Sequence, residues 1–497
     1  MAGGFIWNDN IMTHAIEISG PMAAALRSGS NEEAPAKAMS ASFIAAVLLA
    51  HAALGLVCSS SSLISTVHGI VVFGYGLYLV GIKAPLEKIA YVGAYIAGAE
   101  VLWRMTGSKV FWEFGKYAIS ALFLLAWVQL PRPKKSDLAV LYFLLLLPSL
   151  MMTFVGLPFS VARQEVSFNL SGPFALMVCA CFFVNVKLSP TKLHRLFLAY
   201  MAPAIGILTI AVYGIIQAKH ITFGSNSSFI TSGGYGPNQV ASILGMAALL
   251  AAFILIQSKK IKFSMLFVVG LAAVAFAAQS AMTFSRGGLI GAAAVGVMGS
   301  IFLARSKQQR MRLVIVGVVG YLAVTFIIEP LLDDFTGGAL SKRFSSGNVS
   351  RRDKLVMADL QIFAENPLFG LGPGTAMIER DRISGIGIAH TEFSRLLSDH
   401  GSLGLAAMGL LFLTAVQRVF KVRTTPLGKC MAVSMIAWAL MYMMINGMRL
   451  ASVSFFFGLG CAQYVEGGRR IALLLFDQPA QPPSNAVAPV QNEQEAF

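Results

Sequence analysis

Residues 238–257 run Asn238-Gln239-Val240-Ala241-Ser242-Ile243-Leu244-Gly245-Met246-Ala247-Ala248-Leu249-Leu250-Ala251-Ala252-Phe253-Ile254-Leu255-Ile256-Gln257. The run carries no charge. As an α-helix it rises about 30 Å, the thickness of a bilayer's hydrocarbon core. Ser258-Lys259-Lys260 closes it with charge. The same plan, an apolar run and then a short polar link, recurs along the chain.

Composition agrees. Of 497 residues, 56% are hydrophobic and 12% charged, where a soluble domain carries about 25% charged residues. Alternating short strands, the mark of a membrane β-barrel, are missing. The fold class is all-α, a polytopic transmembrane helical bundle of about 12–14 spans. The runs fall near 42–60, 62–82, 87–105, 115–130, 138–156, 172–187, 195–216, 238–257, 262–282, 285–304, 311–330, 402–420, 428–446 and 449–466. The 47 glycines suit helices that approach closely in lipid.

The net charge of +15 is no nucleic-acid signature, because Lys and Arg gather in the links between runs. Lys134-Lys135, Lys187 to Arg195, Lys259 to Lys262, Arg305 to Arg312 and Arg418 to Lys429 fall at every second connection. The bias of such residues towards the cytoplasm then puts both termini there. Residues 157–171, 217–237, the turn Thr283-Phe284-Ser285 and the stretch 331–401 face outward. Residues 1–41 read as a cytoplasmic segment without a cleavable leader. The domain plan is a transmembrane bundle over 42–330, a periplasmic catalytic loop over 331–401, C-terminal transmembrane helices over 402–466, and a cytoplasmic tail over 467–497. From Asp477 that tail has a disordered composition. The five cysteines lie in apolar runs and form neither a metal spacing nor a disulfide framework. No metal or cofactor is expected.

A connection as long as 331–401 exceeds what joins two helices and points to function. From Ser350, Leu355, Ala358, Ile362 and their neighbours recur at helical spacing, and Asn366-Pro367 ends the run. A second helix is expected from near His390 into the next span. His390 has the chemistry of a general base and is equally at home as a helix-capping or interfacial residue; Glu392 is the next acid–base candidate. Arg286 stands between two apolar runs at the outer face. A guanidinium there is costly and points to an anionic partner, with an arginine snorkelling from a helix end as the alternative. Arg351, Arg352, Arg380, Arg382 and Arg395 crowd a loop that outer-face bias should keep poor in arginine. Arg395 can also pair with Glu392 and Asp399 along its own helix. Arg163, beside Glu165, and Arg449 are weaker candidates of the same kind. His400 reads as a turn residue. Gly370-Leu371-Gly372-Pro373-Gly374 lacks the Lys-Ser/Thr of a nucleotide loop and reads as a tight turn.

Asn366-Pro367-Leu368-Phe369-Gly370-Leu371-Gly372-Pro373-Gly374, followed by His390-Thr391-Glu392-Phe393, Leu396-Leu397 and Gly401 to Leu405, resembles the core of the bacterial O-antigen ligase and polymerase family. Thr283-Phe284-Ser285-Arg286-Gly287-Gly288 looks like that family's Thr-x-Ser-Arg-Gly element. Gly236-Pro237-Asn238-Gln239 resembles its Pro-Asn motif. The resemblance covers roughly 236–405. Where many members have His-Asn, this chain has His390-Thr391-Glu392. The resemblance implies an inverting, metal-independent glycosyltransferase of the bacterial inner membrane, working at the periplasmic face. Its donor would be an undecaprenyl-pyrophosphate-linked glycan. Its acceptor would be lipid A-core or another lipid-linked glycan. It assigns His390 as base, Arg286 to the pyrophosphate, and Arg351 or Arg352 to the arginine opening the loop helix. Asn238 enters as a substrate-binding candidate. A transporter or flippase is the competing class; it calls for internal repeats and mid-membrane charges, and no convincing repeat is visible. A non-catalytic scaffold would need neither His390 nor Arg286.

Overall fold

The computed structural model describes residues 39–465 apart from 222, 224–226, 258–261, 304–306, 324, 327–328, 346–351, 388–390 and 421–424. Most of the N-terminal segment, the tail, Lys259, Arg351 and His390 therefore lie outside the described residues.

The chain folds as helices α1 (Ala41–Ser60), α2 (Ser62–Gly81), α3 (Leu86–Met105), α4 (Phe114–Val128), α5 (Asp137–Leu145), α6 (Leu150–Gly156), α7 (Phe159–Phe183), α8 (Pro190–Gln217) and α9 (Pro237–Gln257). Then come α10 (Phe263–Met282), α11 (Arg286–Leu303), α12 (Lys307–Ala323), α13 (Glu329–Thr336), α14 (Ala339–Ser345), α15 (Arg352–Glu365) and α16 (Thr375–Ser384). Last are α17 (Glu392–Phe420), α18 (Pro426–Asn446) and α19 (Ala451–Leu459). Local chemistry sets several starts. Ser40, Ser189 and Thr425 each accept a hydrogen bond from the first turn they precede, and Pro190 and Pro426 open their helices where a missing N–H costs nothing.

The all-α polytopic bundle is confirmed, with fewer spans than the sequence suggests. Among the described residues 10 helices are long and apolar enough to cross a membrane, counting α5 with α6 as one. The difference has physical causes. The run at 87–105 carries Glu87, Lys88, Glu100 and Arg104, and α4 is a short apolar helix of 15 residues. The run at 449–466 is not a span. Its helix α19 has 9 residues, and Phe455, Phe456 and Phe457 are fully buried inside the bundle. After it, strand β2 (Gln463–Tyr464) pairs in parallel with β1 (Lys187–Leu188). Hydropathy alone does not tell a buried helix from a lipid-facing one. The expected loop at 157–171 is helical too: α7 starts at Phe159 and carries Arg163 and Glu165 on its first turns.

Helix α9 sits at the centre, buried on most of its circumference. It meets α11 backbone to backbone. A Cβ at Gly288 would lie 2.3 Å from the carbonyl carbon of Ala241, and one at Gly245 would lie 2.5 Å from the carbonyl oxygen of Gly288. Only glycine allows this approach, and it fixes the start of α11 against α9.

The described residues of 331–401 form most of α13, all of α14 to α16 and the first turns of α17. Helix α15 spans the expected segment and buries Leu355, Ala358 and Ile362, packing on α17.

Candidate active site

Two motifs meet at the start of α11. Met282 ends α10 and Arg286 begins α11, so Thr283-Phe284-Ser285 is the expected tight turn. Phe284 takes a left-handed φ of 59°, stabilised by burial and by stacking on Phe223 at 5.5 Å. Thr283 Oγ1 accepts from the Ser285 amide at 3.1 Å, and Ser285 Oγ donates to Asn238 Oδ1 at 2.7 Å. Asn238 stands in the first turn of α9, which Pro237 opens. The Pro-Asn and Ser-Arg-Gly elements are thus one hydrogen-bonded unit, and Asn238 orients the turn that presents Arg286.

Arg343 and Arg352 stand near Arg286, and Arg449 stands near Arg352. Arg343 of α14 donates through Nε to the Phe284 carbonyl at 3.3 Å. Burial lowers its pKa, and the neighbouring Arg286 guanidinium lowers it further. Arg352, first residue of α15, is lowered by burial and then by Arg286, Arg343 and Arg449. Arg449, between α18 and α19, is lowered chiefly by burial. Guanidinium stays protonated at any physiological pH. Like charges so placed raise the local potential for an anion, and the N-terminal turn of α11 adds to it.

The glycine loop and α17 form a second unit. Helix α17 breaks at Gly401, with φ 61° and ψ −138°. The break leaves the Ser398 and Asp399 carbonyls without helical partners. The Leu371 and Gly372 amides bond them at 3.0 and 2.9 Å, and the Ser402 amide bonds Pro367 O at 2.7 Å. Gly370, Gly372 and Gly374 have φ of 64°, 87° and 87°. The expected tight turn therefore has a definite purpose: it caps a broken helix from outside.

Arg395 bonds Glu392 Oε1 at 2.5 Å, Asp399 Oδ2 at 3.0 Å and Asn169 Oδ1 at 2.8 Å. Glu392 Oε2 accepts from the Met448 amide at 3.2 Å, which ties α17 to the segment bearing Arg449. Arg380 is not part of the anion-facing group. It is buried and bonds Asp359 at 2.6 Å, Ser398 at 3.0 Å and the Gly387 carbonyl at 2.7 Å. Arg382 instead pairs with Glu379 at the surface. His400 is buried rather than in a turn, with Nδ1 2.5 Å from Ser149 Oγ.

A cavity of about 900 Å³ opens between α3, α4, α7 and α17. Arg163, Glu392, Arg395 and Arg449 line it, and so do Gly387 and Thr391, the described residues that bracket His390. Arg449 belongs to both the cavity and the arginine group. Sequence reasoning passed over Arg343 and the α3 pair Glu100–Arg104. The pair bond at 2.7 Å. Arg104 also donates to the Arg449 carbonyl at 3.1 Å, and Glu100 accepts from the Ala451 amide at 2.7 Å. The usable signal was two opposite charges four residues apart inside an apolar run.

A comparison with curated proteins finds no match. A family model described as O-antigen ligase matches residues 280–409. That range holds the Arg286 turn, the loop helices, the glycine loop and the break in α17. The resemblance read from the short motifs is thereby supported over that range: residues 280–409 match the O-antigen ligase family.

Proposed function

We propose that the protein transfers a glycan from undecaprenyl pyrophosphate to an acceptor hydroxyl at the periplasmic face of the inner membrane, with inversion and without a metal. The observation that carries this is the group of Arg286, Arg343 and Arg352, linked through Arg352 to Arg449, which lines the cavity. Pyrophosphate leaves readily once its charge is neutralised, and fixed cations aimed at the developing charge supply that neutralisation.

The acceptor oxygen bonds the anomeric carbon from the face opposite the leaving group. The bond from that carbon to the phosphate oxygen breaks, and its electron pair leaves with undecaprenyl pyrophosphate. The hydroxyl proton passes to a base, His390. Its neighbours Gly387 and Thr391 border the cavity. Glu392, engaged by Arg395 and the Met448 amide, is better placed to hold the Arg449 segment than to take a proton. Arg351 adds charge at the start of the loop helix in this reading. The acceptor is lipid A-core in a ligase and another lipid-linked repeat in a polymerase.

Purified protein with a lipid-linked donor and acceptor is expected to turn over in excess chelator; loss of turnover that added divalent cation restores would overturn metal independence. In a deletion strain, capped single-repeat product marks a polymerase and accumulated lipid-linked polymer a ligase. Sidedness is tested separately. Reporter fusions at Lys134, Lys260 and Lys307 are expected to read cytoplasmic, and those at Ser227 and Ser345 periplasmic. A cytoplasmic reading at Ser345 would put loop and donor on opposite sides and sink the proposal.

A further inference from the structure

The cavity has two chemically different walls. One ends at Arg449 and the arginine group. The other is built by the end of α3, the start of α4 and the first half of α7, and its charges cancel in place. Glu100 pairs with Arg104, and Glu113 pairs with Lys116. Ser171 Oγ donates to Glu113 Oε2 at 2.9 Å. This wall does not attract an anion.

It does carry polar side chains that suit an uncharged ligand: Glu113, Tyr117, Ser167 and Asn169 line the cavity. Glu113 Oε1 and Arg104 Nε are buried and, among the described residues, have no hydrogen-bond partner. One accepts and the other donates. A sugar hydroxyl does both, and a small turn of either side chain toward the cavity would give its costly unpaired atom a partner. Around them stand aromatic faces that the bundle leaves open: Trp112 is 54% and Phe168 45% exposed, and both line the cavity with Tyr117. Trp112 is more than an interfacial anchor, because the Arg104 guanidinium lies over its ring at 4.5 Å and Arg104 Nη2 donates to its carbonyl at 2.9 Å. A flat apolar face beside a hydrogen-bonding edge matches a pyranose, which is apolar on its C–H face and polar at its rim.

We infer that Trp112, Glu113, Tyr117 and Phe168 form a saccharide subsite that receives the donor glycan next to the pyrophosphate. The inference depends on the transferase reading and adds to it the place where the sugar sits. Continuity favours donor over acceptor: Arg104 joins this wall to the Arg449 backbone at 3.1 Å, and Arg449 neighbours Arg352.

Full-length protein in lipid nanodiscs is titrated with three probes. They are undecaprenyl pyrophosphate without sugar, the intact lipid-linked glycan from the source membranes, and the oligosaccharide that mild acid releases from it. The parent is expected to bind all three and to prefer the glycan-bearing lipid over the bare one by about tenfold, the scale of one aromatic contact. Trp112→Ala and Phe168→Ala, each checked for an unchanged size-exclusion profile, are expected to lose that preference and to weaken oligosaccharide binding by a similar factor. Preference and oligosaccharide affinity unchanged in both variants, or a parent that binds no oligosaccharide, would overturn the subsite. Oligosaccharide binding lost with the lipid preference retained would move the sugar to the acceptor and overturn the donor assignment. A parent that binds oligosaccharide through Trp112 but not bare undecaprenyl pyrophosphate would keep the subsite and remove the pyrophosphate reading instead.

Discussion

Arg286→Ala is expected to lower transfer by about a hundred- to a thousand-fold in the purified assay, the usual cost of removing one donor aimed at developing charge. Arg286 opens α11 in a turn fixed by Ser285, Asn238 and Thr283, so the guanidinium has a defined place. Arg343 and Arg352 stand near enough to shift with it electrostatically. Arg286→Lys keeps the charge but loses the planar fork that matches phosphate oxygens. It is expected to fall by at least about tenfold, because a point charge cannot make two parallel bonds. Protein level and insertion serve as controls. Full turnover in Arg286→Ala at parental abundance would leave this residue a helix-end anchor.

His390→Ala is expected to lose about two orders of magnitude or more in turnover, the typical share of a general base, with donor binding intact. The split matters: a residue that only shaped the site would weaken binding as well. Glu392→Gln provides the comparison. Its side chain holds Arg395 and the Met448 amide, so its removal is expected to act on donor binding through Arg449 more than on the proton. Parental turnover in His390→Ala would move the base elsewhere, and a selective loss of turnover in Glu392→Gln would name the replacement.

What could be read from the sequence followed from local chemistry. The helix of residues 352–365, its stop at Asn366-Pro367, the turn before Arg286 and the pairing of Arg395 with Glu392 and Asp399 all depend on neighbours within a few residues. What escaped depends on distant parts of the chain. Arg380 looked like an anion-seeking arginine, and only Asp359, 21 residues earlier, shows that it is already paired. Phe455 to Phe457 looked like a span because a lipid tail and a buried helix select the same side chains. Arg163 and Glu165 looked like loop residues because polar positions on α7 face a cavity, not a bilayer. The cavity's aromatic wall joins α4 to α7, and no spacing rule connects Trp112 with Phe168.

The break at Gly401 has an architectural consequence. The short piece of α17 ahead of it is capped by amides of the glycine loop and not by its own continuation. It is therefore held from two sides, by the loop and, through Arg395–Asn169 and Glu392–Met448, by the bundle. Helix α16 follows the loop, and Arg380 ties it back to α15 and α17. A change in the glycine loop is therefore felt in two places, at the loop helices and at the cavity wall formed by Glu392 and Arg395.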